Sequence, residues 1–93
     1  MYEYDIGDDL KRTLKKLCKK NRQIYQRIID KMQDILENPQ RYKHLGHDMK
    51  GECRVHIGSY VLTFEINENE KMVVFLDYDH HDNIYKKRKF KLI

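Results

Sequence analysis

Proline occurs once in this sequence and cysteine twice, and no apolar run approaches the ~20 residues needed to cross a bilayer. Each scarcity excludes something. One proline, set beside 40% apolar and 11% aromatic residues, argues against a disordered tail, which lacks the apolar surface to offset its conformational entropy. Cys18 and Cys53 are too few and too far apart for the disulfide framework of a small secreted domain. Their positions, on the apolar side of a helix and at the start of a strand, suit small buried hydrophobes. The N-terminal MYEYDIGDD is acidic and lacks the basic start of a secretory signal. A reducing, cytoplasmic setting with no membrane partner is therefore expected. No repeat, linker or low-complexity stretch divides the chain, so a single domain over residues 1–93 is expected. At this length it has one modest core and a thin stability margin.

What is abundant is charge, at 37% of residues, with a net excess of +4. Lys11, Arg12, Lys15, Lys16, Lys19, Lys20 and Arg22 crowd one segment, and Lys86, Lys87, Arg88, Lys89 and Lys91 crowd the end. Such blocks attract phosphate backbones or an acidic protein, although a lysine-rich helix face is also an ordinary solvated surface.

Periodicity organises the rest. Tyr2 to Ile6 read as a short strand. Asp8 or Asp9 is positioned to cap a helix whose apolar side is Leu10, Leu14, Leu17 and Cys18. Asn21 marks a boundary, after which Ile24, Ile28, Met32 and Ile35 form a second stripe, widened by Tyr25, Ile29 and Leu36. Asn38-Pro39 stops that helix, because the residue before proline disfavours helical geometry. Residues 40–51 read as a loop. From Cys53 the period becomes two, with Cys53, Val55 and Ile57 on one side and Arg54 and His56 on the other. Gly58-Ser59 reads as a hairpin turn, followed by a strand from Tyr60 to Ile66, a turn over 67–71 and a nearly continuous apolar strand, Met72 to Tyr78, of central character. Asp79 to Tyr85 are expected to leave the sheet.

The order β-α-α-β-β-β predicts an α+β fold of two layers. The N-terminal strand joins a twisted, mainly antiparallel sheet of about four strands, and the helical hairpin covers one face. The other face is expected to be open, carrying Arg54 and His56.

Lys50-Gly51, RVHIGSYVLTFEI (Arg54 to Ile66) and VVFLDYDHHDNIY (Val73 to Tyr85), in this order and spacing, resemble the RelE/ParE toxin superfamily over essentially the whole chain. The resemblance implies a toxin of a type II toxin–antitoxin system, with a RelB-like antitoxin wrapped around it and operator DNA bound only by the pair. RelE-like members cut messenger RNA in the ribosomal A site without metal or cofactor, through attack of a ribose 2′-OH on the adjacent phosphate. ParE-like members inhibit DNA gyrase instead, and a third possibility is a member that binds antitoxin with little catalysis. By the same resemblance, Arg54 matches a phosphate-contacting position and His56 the second basic position on that strand. His81 stands where relatives carry arginine or a catalytic histidine, and Tyr85 matches a terminal aromatic that stacks on or orients substrate. Val61 departs from the pattern, since most nuclease members place an arginine there.

Cleavage by the RNA's own hydroxyl needs a base, an acid and neutralisation of the phosphorane charge. Histidine, with an ordinary pKa of about 6.5, serves as acid or base near neutrality. His56 and His81 are the expected pair, Arg54 the expected phosphate clamp, and Tyr85 the expected stacking partner. Lys50, Arg54, Lys86, Lys87 and Arg88 are expected to contact RNA. No metal site is expected, because adjacent residues such as Asp79, His80, His81 and Asp82 rarely point at one ion and no Cys or His pair has zinc-finger spacing. His44 and His47 suggest nothing beyond possible RNA contact.

Overall fold

Residues 1–42 and 52–89 are described by the structure, a computed structural model. Along them run β1 (Glu3–Ile6), α1 (Asp8–Lys20), α2 (Arg22–Glu37), a single turn α3 (Pro39–Tyr42), β2 (Glu52–Ile57), β3 (Tyr60–Asn67), β4 (Met72–His80) and α4 (His81–Lys89). Lys50, His44 and His47 lie outside the described residues, as do the side chains of Tyr85, Lys87 and Arg88, whose backbone belongs to α4.

The strands form one sheet in the order β1-β4-β3-β2. β4 is central, as its apolar run predicted. β1 lies parallel to it, with Glu3 beside Met72 and Ile6 beside Phe75, while β2, β3 and β4 form an antiparallel meander. Leu10 and Leu14 of α1 and Ile28, Met32, Ile35 and Leu36 of α2 are buried in one cluster with Cys53, Ile57, Leu62, Phe64, Val73 and Phe75 of the sheet. The 3.6-residue stripes and the period-two strands therefore meet as expected. Cys18 is half-buried, Cys53 is buried, and both are free thiols.

Asn21 serves both helices. Its backbone N–H donates to Leu17 O at 2.8 Å and its carbonyl accepts from Tyr25 N at 3.0 Å, while its side chain accepts from Ile24 N at 3.2 Å. Asn21→Ala is expected to cost about 1 kcal/mol, seen as a lower urea midpoint at unchanged slope. An unchanged midpoint would show that the cap contributes nothing.

Neither Asp8 nor Asp9 caps α1; the cap is Gly7, with no side-chain bond. Gly7 N still completes the ladder to Phe75 O at 2.8 Å while its carbonyl accepts from Lys11 N at 2.9 Å. Strand and helix thus share one residue, and the two aspartates fall in the first turn, where they oppose the helix dipole. A second departure follows Pro39. The expected loop from residue 40 begins instead as α3, with proline at the first helical position, where its missing N–H costs nothing.

That turn carries Tyr42 into the core, edge-on to Phe64 at 6.1 Å, with its hydroxyl donating to the Asp34 carboxylate. Burial pushes the Tyr42 phenol up to about 12, and the Asp34 bond adds to the rise. The same bond holds the Asp34 carboxyl below its ordinary range. A phenol with a raised folded pKa stabilises the fold below its ordinary value of 10.0, and that stability is lost as pH rises through about 12. The loss should amount to roughly 2–3 kcal/mol. Urea unfolding at about pH 9 and about pH 11.5 should show a steeper alkaline decline in wild type than in Tyr42→Phe; parallel declines would refute the assignment.

One irregularity decides which side chains face where. Thr63 pairs with Asp77 but Phe64 pairs with Phe75, so Leu76 is an extra residue in β4, a bulge in the sense of one strand outnumbering its partner locally. Strict alternation from Val73 and Phe75 would aim Asp77 and Asp79 at the hairpin. The bulge instead puts Tyr78 on the hairpin side, beside Leu62, and turns Asp77 outward, beside Thr63.

Candidate active site at the end of the sheet

The ends of β2 and β4, the start of β3 and the first turn of α4 converge at one end of the sheet. Three rows cross it. Ile57, Tyr60 and His80 make the last row, His56, Val61 and Asp79 the next, and Arg54, Thr63 and Asp77 the third. His56 and Arg54 lie on the outer face, opposite the hairpin. His56 is exposed and Arg54 is half-buried.

β4 runs two residues further than Tyr78, to His80, and α4 follows without a loop. His81 N donates to Ser59 O at 3.2 Å, tying the helix start to the β2–β3 turn. Asp79 Oδ1 accepts from His80 N at 2.7 Å and from Asn83 Nδ2 at 3.1 Å. His80 Nδ1 accepts from Asp82 N at 3.2 Å. His81 Nδ1 stands 2.8 Å from Asp82 Oδ1, so a carboxylate lies against that imidazole. The junction is held from four directions, yet His81 keeps 41% of its side-chain surface in solvent. A half-exposed, braced imidazole is what proton exchange with a substrate requires.

His56 and His81 do not sit side by side. His56 shares its row with Asp79, two strands away, a separation of about 10 Å at the usual strand spacing. Both border the Gly58-Ser59 turn, and a bridging ligand would lie between them. Arg54 shares its face with Asp77, and nearby a groove of about 550 Å³ is lined by Asp8, Asp9, Glu52, Glu65 and Asp77, with Arg12. That part of the outer face is acidic and repels phosphate, and the His56 end of the sheet lies apart from it. There a second groove of about 370 Å³ runs between His56, Ile57 and Gly58 and the α2 residues Arg27, Asp30, Lys31 and Asp34.

Tyr60 is a contributor that residue-type reasoning passed over. It is 42% exposed, stacked on Tyr78 at 5.1 Å with an 18° tilt, and edge-on to His80 at 5.7 Å. Burial raises the Tyr78 phenol above its ordinary value, and the neighbouring Tyr60 adds to this. The two rings offer a flat apolar platform next to His80. The signal was the tyrosine after the Gly58-Ser59 turn together with the bulge that brings Tyr78 to the same side.

The outer face is also less open than expected. α4 packs on β3 and β4, and Ile84, Val61 and Thr63 are each 0% exposed. By register Val61 and Thr63 face away from the hairpin, so they and Ile84 form a small second buried patch under α4. The basic composition of the last segment concealed the apolar anchor Ile84.

The two-layer fold of this topology is that of solved RelE toxins. A family model described as the ParE toxin of type II toxin–antitoxin system, parDE, matches residues 6–85. The putative toxin RelE4 of Methanocaldococcus jannaschii is 48% identical over 90 residues, 96% of each chain. The fold is also that of the isolated E. coli RelE toxin, at a TM-score of 0.66 and 15% identity with all of both chains covered. The toxin–antitoxin complex RelBE2 of Mycobacterium tuberculosis gives a TM-score of 0.67 at 23% identity, covering 86% of this chain and 98% of that one. The chain belongs to the RelE/ParE superfamily of type II toxins. No helix among the described residues is long and apolar enough to cross a membrane.

Proposed function

We propose that this toxin is a metal-independent, ribosome-dependent messenger-RNA endoribonuclease acting in the cytoplasm. The observation that carries this is His81, half-exposed, with its Nδ1 2.8 Å from Asp82 Oδ1 and its ring 4.5 Å from that of His80, which stands edge-on to Tyr60. In the reaction, one histidine of the pair His56 and His81 takes the ribose 2′-OH proton. The freed oxygen attacks the adjacent phosphorus, and the other histidine protonates the departing 5′ oxygen. Arg54 neutralises the phosphorane, Tyr85 orients the substrate, and Lys50, Lys86, Lys87 and Arg88 hold the RNA backbone. Such a site works on an RNA strand already splayed by the ribosome, where bases are free to stack on aromatics. Primer extension on programmed ribosomes should show codon-phased cuts with wild-type protein. Their absence with folded protein would remove the nuclease reading.

A RelB-like antitoxin is the proposed partner, by likeness to the RelBE2 complex and to the archaeal RelE–RelB complex of Pyrococcus horikoshii. It would cover the hairpin or the outer sheet face with an amphipathic helix, and operator DNA would be bound only through that pair. A second reading, a ParE-like gyrase inhibitor, is favoured by Val61 in place of the nuclease arginine and by the ParE family match. Inhibition of supercoiling by purified gyrase would establish it.

A further inference from the structure

We propose that His80, His81 and Asp82 form a binding site for a late first-row divalent ion of the Zn²⁺ type, and that the bound ion takes His81 out of use. Adjacent side chains diverge in a strand and stand about 100° apart on a helix. These three lie across the change from β4 to α4, where neither rule holds, and their ligand atoms all come within 4.8 Å of one another. His81 Nδ1 is 2.8 Å from Asp82 Oδ1, His80 Nδ1 is 3.7 Å from Asp82 Oδ2, and the two imidazole centroids are 4.5 Å apart. A tetrahedral ion with bonds of about 2.0–2.1 Å needs ligand atoms roughly 3.3 Å apart, and the observed separations bracket that value. The expectation that neighbouring residues point apart therefore fails at this junction.

The donor set selects the ion. Two neutral imidazoles and one carboxylate suit zinc, cobalt, nickel or iron, whereas magnesium and calcium prefer oxygen ligands. The side chains are 38%, 41% and 66% exposed while His81 Nδ1 is itself buried, so an ion enters from the Asp82 and His80 side and a fourth position remains for water. The bonds of Asp79 to His80 N and Asn83, with His81 N on Ser59 O, hold the backbone in place before the ion arrives, and the ion replaces the Asp82 N–H as the partner of the His80 Nδ1 lone pair. Binding stands independently of the proposed activity. Its consequence rests on the nuclease reading, because an imidazole that donates its lone pair to a metal can no longer relay a proton.

The test uses the metal-free full chain with Co²⁺ as probe. One equivalent should bring up visible ligand-field absorption, displaced by Zn²⁺ but not by a large excess of Mg²⁺. Calorimetric Zn²⁺ titration should show one ion per chain, with affinity at least tenfold weaker in His80→Ala and Asp82→Asn and unchanged in His56→Ala. Circular dichroism checks that the variants are folded. No stoichiometric binding, or binding indifferent to both substitutions, overturns the site. On ribosomes, Zn²⁺ should suppress wild-type cleavage at least tenfold, reversibly with chelator, and suppress it far less in His80→Ala relative to that variant's own metal-free rate. Binding without suppression overturns the inhibitory role. Absence of cleavage in metal-free protein counts against the nuclease reading, while the absorption and calorimetry still decide the site.

Discussion

His81→Ala is expected to lower the rate of ribosome-dependent cleavage by about 10² to 10⁴, the usual consequence of removing one acid or base. That is roughly 3–5 kcal/mol of transition-state stabilisation. The loss should fall on kcat rather than KM, because the Tyr60–Tyr78 platform and the basic residues proposed to hold RNA are untouched. Asp82→Asn should give a smaller loss, since it removes the carboxylate 2.8 Å from His81 Nδ1 but leaves the imidazole. His56→Ala provides the complementary test. If the two histidines divide the acid and base roles, each variant alone should flatten one limb of a bell-shaped pH–rate profile. Wild-type rates in both variants, with intact circular dichroism, would remove the histidine mechanism. Activity would then rest on Arg54 and residues not singled out above.

Much of this architecture follows directly from residue pattern. The stripes ending at Asn21 and Asn38, the Gly58-Ser59 turn and the central character of β4 all depend on short-range chemistry: caps, turn residues and hydrophobic period. Three features do not. The Leu76 bulge is hidden because β4 is apolar almost throughout, so no alternation is present to reveal the slip; yet it decides that Tyr78 joins the site and Asp77 leaves the core side. Gly7 serves as cap because its N–H completes a ladder to Phe75, a long-range bond that no local preference for aspartate encodes. Helix α4 read as a basic segment for RNA contact, and its composition did not show that Ile84 is buried against the sheet. For the site, His56 and His81 were legible by residue type, whereas the acidic groove beside Arg54 was not. Its carboxylates come from α1, β2, β3 and β4 and meet only in the folded chain.

Val61→Arg would supply the residue that most nuclease relatives place at this position, and its expected effect is loss of stability rather than gain of activity. Val61 is 0% exposed, as is Ile84, and α4 lies over β3 and β4. A guanidinium placed there must either stay buried or push the helix away. An unpaired buried charge costs about 3–5 kcal/mol, a large part of the 5–15 kcal/mol that holds a typical domain together. The carboxylate in the same row is Asp79, whose Oδ1 already accepts from His80 N and Asn83 Nδ2. An arginine that recruited it would loosen the junction that positions His81. The expected result is a fall in Tm on the order of 10–25 °C, with amide protection lost first in α4 and retained in the sheet. An unchanged Tm with α4 still protected would mean that the patch tolerates a cation and that the valine does not reflect packing. If the fall occurs, Val61 and Ile84 are two halves of one packing arrangement, in which a helix fills the place where an arginine would stand.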